Sequence, residues 1–178
     1  MSPRPAGAGP RRPGTAAARA VLPGDPSSAG FGLDRYPFYL LAQIDRRFGH
    51  AMAIALKKAG TDRPGWRVLM TLQEQNPSSI SDIASRATMK RSTISRVVER
   101  MRGAGLVRTA PRAADNRVTD VFIEPAGERT LAALVEVASV EYAKAFAGFS
   151  AAEVETLVTL LGRVRANLDA AGAPAATE

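Results

Sequence analysis

Between Arg86 and Arg117 the chain carries nine basic side chains, Arg86, Lys90, Arg91, Arg96, Arg100, Arg102, Arg108, Arg112 and Arg117, beside only two acids, Glu99 and Asp115. Taking these from the chain's 24 basic and 17 acidic residues leaves fifteen of each sign, so the whole surplus of +7 lies in one short stretch. A surface that meets a polyanion needs such a concentration; a solvated charged face is the bland alternative. Within the stretch, Ser92, Thr93, Ser95 and Arg96 stand almost side by side. Arginine can grip the O6 and N7 of guanine together, serine and threonine hydroxyls bond to several bases, and the threonine methyl can meet that of thymine. Lys90, Arg91 and Arg100 suit phosphates, which set register without reading sequence.

These groups need an element to present them. Ile94, Val97, Val98 and Met101 fall on one narrow arc at about 100° per residue, which predicts a helix buried along that arc. The opposite arc holds Ser92, Arg96, Glu99 and Gly103, flanked by Thr93, Ser95 and Arg100. Upstream, Ser79 to Asp82 reads as a capping box opening a short helix with Ile80, Ile83, Ala84 and Ala87 inward. Downstream, residues 106–109 and 118–123 read as two strands joined by Ala113 to Arg117, with Asp115-Asn116 supplying turn chemistry. Arg117 then stands at the hairpin tip, suited to a narrow minor groove, and Asp115 is spaced to orient it. A short helix, a turn, a second helix and a hairpin form the layout of a winged helix-turn-helix.

Helices are expected on both sides. Leu41, Ile44, Phe48, Met52 and Ala55 mark a long first helix from about Asp34 to Gly60, and Asp62 with Pro64 opens a second in which Trp66, Leu69, Met70 and Leu72 face inward. After Pro125 a helix over about Ala126 to Ala147 carries Leu131, Leu134, Val135 and Ala138. A last helix opens at Ser150 with the stripe Val154, Leu157, Leu161, Val164 and Leu168. That stripe exceeds what a small winged domain needs and predicts a helix-helix interface with a second copy, with Leu157, Leu161, Val164 and Leu168 at its centre. The expected fold is mainly α with a small β-hairpin wing. Residues 62–125 form the winged domain, 33–61 and 126–171 the dimerisation helices, 1–32 a disordered Pro/Gly/Ala/Arg tail and 172–178 a flexible end.

Other classes fit poorly. The chain has no cysteine, which excludes disulfides and thiolate metal sites. His50 is the single histidine, and one histidine does not build a usual metal site or an acid-base pair. Neither a P-loop nor a dinucleotide fingerprint occurs, so neither catalytic residues nor a cofactor or metal is expected. No apolar run has the length of a membrane span or signal peptide, and a cytoplasmic location is expected.

The combined order of Trp66-Arg67-Val68-Leu69, Ile80-Ser81-Asp82-Ile83-Ala84, Ser92 to Met101, Gly105-Leu106-Val107-Arg108, Asp115-Asn116-Arg117 and Pro125-Ala126-Gly127 resembles the MarR family of transcriptional regulators over about residues 36–170. The resemblance implies an obligate homodimer built by the terminal helices, binding double-stranded DNA at a pseudo-palindromic operator as a repressor released by a small aromatic or acidic ligand. It also implies a ligand crevice between the dimerisation helices and the winged domain, with Tyr39, Arg46, His50, Trp66 and Met70 as candidates by position. The competing reading is a ligand-independent architectural DNA-binding protein. Lys90 departs from the pattern, standing where a helix-capping residue is usual.

Overall fold

The computed structural model describes residues 21–172; Arg4, Arg11, Arg12 and Arg19 of the expected tail, and residues 173–178, lie outside them. Among the described residues a 3-10 turn (Leu33–Arg35) precedes α1 (Pro37–Lys58), α2 (Arg63–Glu74), β1 (Ser78–Ser79), α3 (Ile80–Ala87), α4 (Arg91–Gly103), β2 (Val107–Arg112), β3 (Asp115–Ile123), α5 (Pro125–Ala145) and α6 (Ala151–Gly172). The fold is mainly α with a small antiparallel sheet, as expected.

The described residues divide into two compact units, one ending at Arg47 and the other beginning at Phe48. In the first, residues 21–32 are not the featureless continuation of a tail that their composition suggests. Amides of Asp25, Ser28 and Phe31 close successive turns onto Leu22, Asp25 and Ser28. Phe31, Tyr36 and Phe38 pack edge to face with centroids 5.7 Å apart in each pair. Gly24 has φ +81°, and a side chain there would collide with the carbonyl oxygen of Arg35.

In the second unit one core joins Val68, Leu69 and Leu72 of α2, Ile83, Ala84 and Ala87 of α3, and Ile94, Val97, Val98 and Met101 of α4. Leu106 just before β2, Val107 and Val121 of the sheet, and Leu131 of α5 complete it. A smaller cluster of Met52, Leu56 and Leu134 ties α1 to α5, and half-buried Trp66 packs against both clusters. The inward arcs of α3 and α4 are those expected. On α2 the inward residue is Val68, whereas Met70, expected inward, is 38% exposed. On α1, Ile44 and Phe48 are exposed while Met52 and Leu56 are buried. A stripe four residues wide cannot tell a face buried within one chain from a face left outside it.

Two further expectations are corrected in the wing. The sheet has three strands in the order β1-β3-β2, with Ser78 opposite Val121 and Ser79 opposite Asp120. A two-residue serine strand has no apolar alternation, so nothing in the sequence marked it. The hairpin closes at Ala113-Ala114; Asp115 and Asn116, read as the turn, begin β3, with an irregularity in register between Pro111 and Arg112.

Three caps use the residues expected. Asp62 accepts from the amide of Gly65 at 2.9 Å, and Ser79 accepts from the amide of Asp82 at 3.0 Å. At the start of α6 the Ser150 amide donates to the Glu153 carboxylate at 2.8 Å and Glu153 returns its own amide to the Ser150 hydroxyl at 3.3 Å. The backbone hydrogen bond from Ser150 holds the Glu153 carboxyl below its ordinary value.

Candidate nucleic-acid interface

The element that presents the basic stretch is α4. Thr88, at φ 54° and ψ 48°, ends α3 in the left-handed region and redirects the chain toward it. Lys90 takes the cap position with no side-chain hydrogen bond, and the first turn of α4 contains no acid. The positive end of the helix is therefore left uncompensated by its own sequence, a disposition that favours an external anion.

The nine basic residues of the stretch are not equivalent. Arg86 pairs with Glu74, Arg100 with Asp62 at 2.8 Å, Arg102 with Glu99 at 2.6 Å, Arg108 with Glu124 at 3.1 Å, Arg112 with Asp120 at 2.7 Å and Arg117 with Asp115 at 2.9 Å. Among the described residues no carboxylate pairs with Lys90, Arg91 or Arg96, all of them exposed at the start and along the outer face of α4. Ser92 is exposed there, and Thr93 and Ser95 are half-buried. The Ser95 hydroxyl donates to the Arg91 carbonyl at 3.0 Å, which leaves its oxygen an acceptor toward solvent.

Arg100 is engaged but not exhausted. Its Nη2 donates to both Asp62 oxygens at 2.8 Å, so Nε and Nη1 remain available. Asp62 thereby caps α2 and fixes a side chain of α4. Replacing it tests the first of these roles. Asp62→Ala is expected to cost about 1 kcal/mol, whereas Asp62→Asn, which keeps a capping oxygen, costs only a few tenths. Thermal melting then shows the alanine variant lower by about 2–4 °C and the asparagine variant close to the parent.

On the wing, Arg117 is 90% exposed, and its Nε and Nη2 donate to the two Asp115 oxygens at 2.9 and 3.0 Å. The Arg117 amide adds a third bond to the same carboxylate at 3.1 Å. The side-chain hydrogen bond from Arg117 holds the Asp115 carboxyl below its ordinary value, so the clasp is intact at neutral pH. At the last residue of β2, Arg112 grips the buried Asp120 through Nε and Nη2, and its Nη2 lies 4.0 Å from Asp82 at the start of α3. The hydrogen bond from Ser79 lowers the Asp82 carboxyl. Sheet and α3 are thus linked by charge as well as by β1.

A sequence profile of the MarR family matches residues 62–119, from the cap of α2 into β3. The chain is 41% identical over 145 residues to the HTH-type transcriptional repressor IacR of Pseudomonas putida, which covers 82% of this chain and 87% of that protein. The chain belongs to the MarR family. As a MarR-family protein it is a DNA-binding transcriptional regulator. Its fold is that of a MarR-family regulator from Silicibacter pomeroyi, with a TM-score of 0.71 at 24% identity over 76% of this chain and 92% of the other. The PcaV regulator of Streptomyces coelicolor, solved in complex with its natural ligand, shares the fold with a TM-score of 0.67 at 22% identity over 78% and 97%.

The residues suggested for a MarR effector site are more dispersed in character. Tyr39 and Arg46 lie in the first unit with exposed side chains, and His50 is exposed on α1 in the second. Trp66 is committed to packing. Met70 lines a cleft of about 750 Å³ together with Arg67, Thr71 and Arg165. Among the described residues no group of three or more histidines and acids could hold a metal ion, and no helix is long and apolar enough to cross a membrane. Asp62, Arg112 and Asp120 were missed as parts of the interface. Asp62 was legible as a cap; nothing near it in sequence pointed to Arg100.

Proposed function

We propose that this MarR-family protein acts as a homodimer that occupies a pseudo-palindromic operator in double-stranded DNA and represses transcription, and that a small aromatic or acidic effector releases it. The observation that carries the reading is the unpaired set Lys90, Arg91 and Arg96 on the outer face of α4. In this reading Ser92, Thr93, Ser95 and Arg96 meet base edges in the major groove. Lys90, Arg91 and the free nitrogens of Arg100 take phosphates. Arg117, steadied by Asp115, enters the adjoining minor groove. Repression is supported by the 41% identity to a repressor. The effector is the family expectation, with Tyr39, Arg46, His50, Trp66 and Met70 as its candidate contacts, and no residue is assigned a catalytic role.

Selection from a random duplex pool tests the reading. It is expected to return two inverted half-sites about one helical turn apart. Recovery of no preferred sequence would favour an architectural DNA-binding protein instead.

The dimer rests on α6, where Leu157, Leu161, Val164 and Leu168 all remain exposed in a single chain. An apolar face of this regularity in a soluble helix calls for a partner, and a second copy supplies a matching one. Leu161→Asp buries a charge in that interface; sedimentation should show the parent as a dimer at micromolar concentration and the variant as a folded monomer with much weaker operator binding. A dimeric variant would remove α6 from the interface.

A further inference from the structure

Of the side chains on the outer arc of α4, Glu99 is the one that phosphate binding does not explain. It stands with Ser92, Arg96 and Gly103 opposite the buried arc, is 68% exposed, and is the sole acid in α4. A carboxylate on the face that meets DNA is repelled by every phosphate near it, so it weakens binding to all sequences alike unless a donor on a base answers it. Its direction is fixed. Arg102 donates through Nε to Oε2 at 3.1 Å and through Nη2 to Oε1 at 2.6 Å. Those side-chain hydrogen bonds hold the Glu99 carboxyl below its ordinary value, so it is ionised at neutral pH. The two-point grip takes one acceptor site on each oxygen and leaves another on each open. Arg96, three residues before Glu99, has no carboxylate partner among the described residues, so the two groups act independently.

In the major groove only cytosine N4 and adenine N6 offer donors, and adenine sets its N7 acceptor beside the donor, where a carboxylate oxygen is repelled. Cytosine carries the donor with no acceptor on the same base edge. Three residues of helix advance about 4.5 Å, against about 3.4 Å per base pair, so Arg96 and Glu99 address base pairs at most two apart. We propose that Glu99 is a specificity-determining residue whose carboxylate accepts a hydrogen bond from the N4 amino group of a cytosine within two base pairs of the base that Arg96 reads, with Arg102 as the positioning residue that aims it. The assignment rests on the reading of α4 as the helix that meets base edges. Glu99 then discriminates in two ways: it gains a bond on the right site and repels the phosphates of any duplex that lacks the cytosine.

The test passes the full chain through selection from a random duplex pool as the parent and as Glu99→Ala, Glu99→Gln, Arg102→Lys and Arg96→Ala, each checked for an unchanged circular dichroism spectrum. The parent should return a cytosine within two base pairs of the position that Arg96→Ala relaxes. Glu99→Ala should lose that preference alone, with discrimination against the other bases falling by about fivefold or more. The same variant should bind random duplex more tightly than the parent, with a salt slope steeper by about one, because Arg102 is set free. Weaker binding to the operator beside tighter binding to random DNA is not produced by a residue that merely stabilises α4. Glu99→Gln should move the preference from cytosine toward adenine, whose N6 and N7 a side-chain amide meets together. Arg102→Lys keeps the charge without the two-point grip, and should lower the cytosine preference while leaving the salt slope unchanged. The proposal is overturned if Glu99→Ala keeps the parent's preference at every position, if the preference it loses is for a base other than cytosine, or if it binds random duplex no more tightly than the parent. Arg102→Lys discriminating like the parent overturns the positioning role of Arg102. If Arg96→Ala relaxes its own position while Glu99→Ala relaxes none, only the assignment of Glu99 falls; if neither variant relaxes any position, α4 does not read bases and both readings fall.

Discussion

Arg96→Ala is expected to lower affinity for the selected operator by about 1–3 kcal/mol, roughly five- to hundredfold, and to relax base preference at one position in each half-site. Arg96 lies mid-arc opposite Ile94, Val97, Val98 and Met101, which are buried. Its charge is not shared with any carboxylate among the described residues. Truncating it therefore frees no buried acid and creates no cavity, and the folded variant should melt like the parent. Binding assays against the operator and single-base variants of it check the loss. Arg100→Ala is the contrasting control. With only Nε and Nη1 free of Asp62, it should weaken all sequences alike and reduce the salt slope by about one. Full affinity and specificity in Arg96→Ala would mean that α4 does not read bases.

Gly127→Val is expected to be the most damaging single change to stability. Gly127 is buried in the first turn of α5, where a methyl would run into the carbonyl oxygen of Leu106 and approach the Ile123 side chain at 2.9 Å. That carbonyl cannot retreat freely, because it already accepts from the Glu124 amide at 3.0 Å. Overpacking typically costs about 1–3 kcal/mol even where side chains can yield, and here the obstacle is backbone. Thermal melting should fall by about 3 °C for each kcal/mol lost. Gly103→Ala supplies the comparison: a methyl there meets nothing within 4 Å, so the change should be neutral or stabilising by up to about 1 kcal/mol. Equal melting of the two variants would mean that α5 does not seat against the root of the wing as described.

The sequence made the inner architecture readable where burial repeats within one element. The arcs of α3 and α4 and the caps at Asp62, Ser79 and Ser150 depend on residues three or four apart, a distance over which period and hydrogen-bonding chemistry speak directly. Met70, Ile44 and Phe48 are exposed where the pattern predicts burial, because amphipathicity marks an apolar face without saying which of its residues this chain covers. The charged network was invisible for a different reason. Arg100 and Asp62 are 38 positions apart, and Arg112 meets Asp120 only because β2 and β3 pair across a hairpin whose turn was placed two residues late. Counting arginines located the interface, but pairing decides which of them keep their charge for a ligand.

That selective pairing bears on how the protein behaves among the vast excess of DNA it does not regulate. Counterions released from a duplex reward every free cation, whatever the sequence beneath it. A stretch with nine such cations free would bind any duplex more firmly, its own site and all others alike. Neutralising six of them within the fold lowers that indiscriminate attraction while keeping their remaining N–H groups for directed hydrogen bonds. The acids scattered beside the arginines therefore act as a brake on non-specific residence, widening the ratio between the right site and the competing genome.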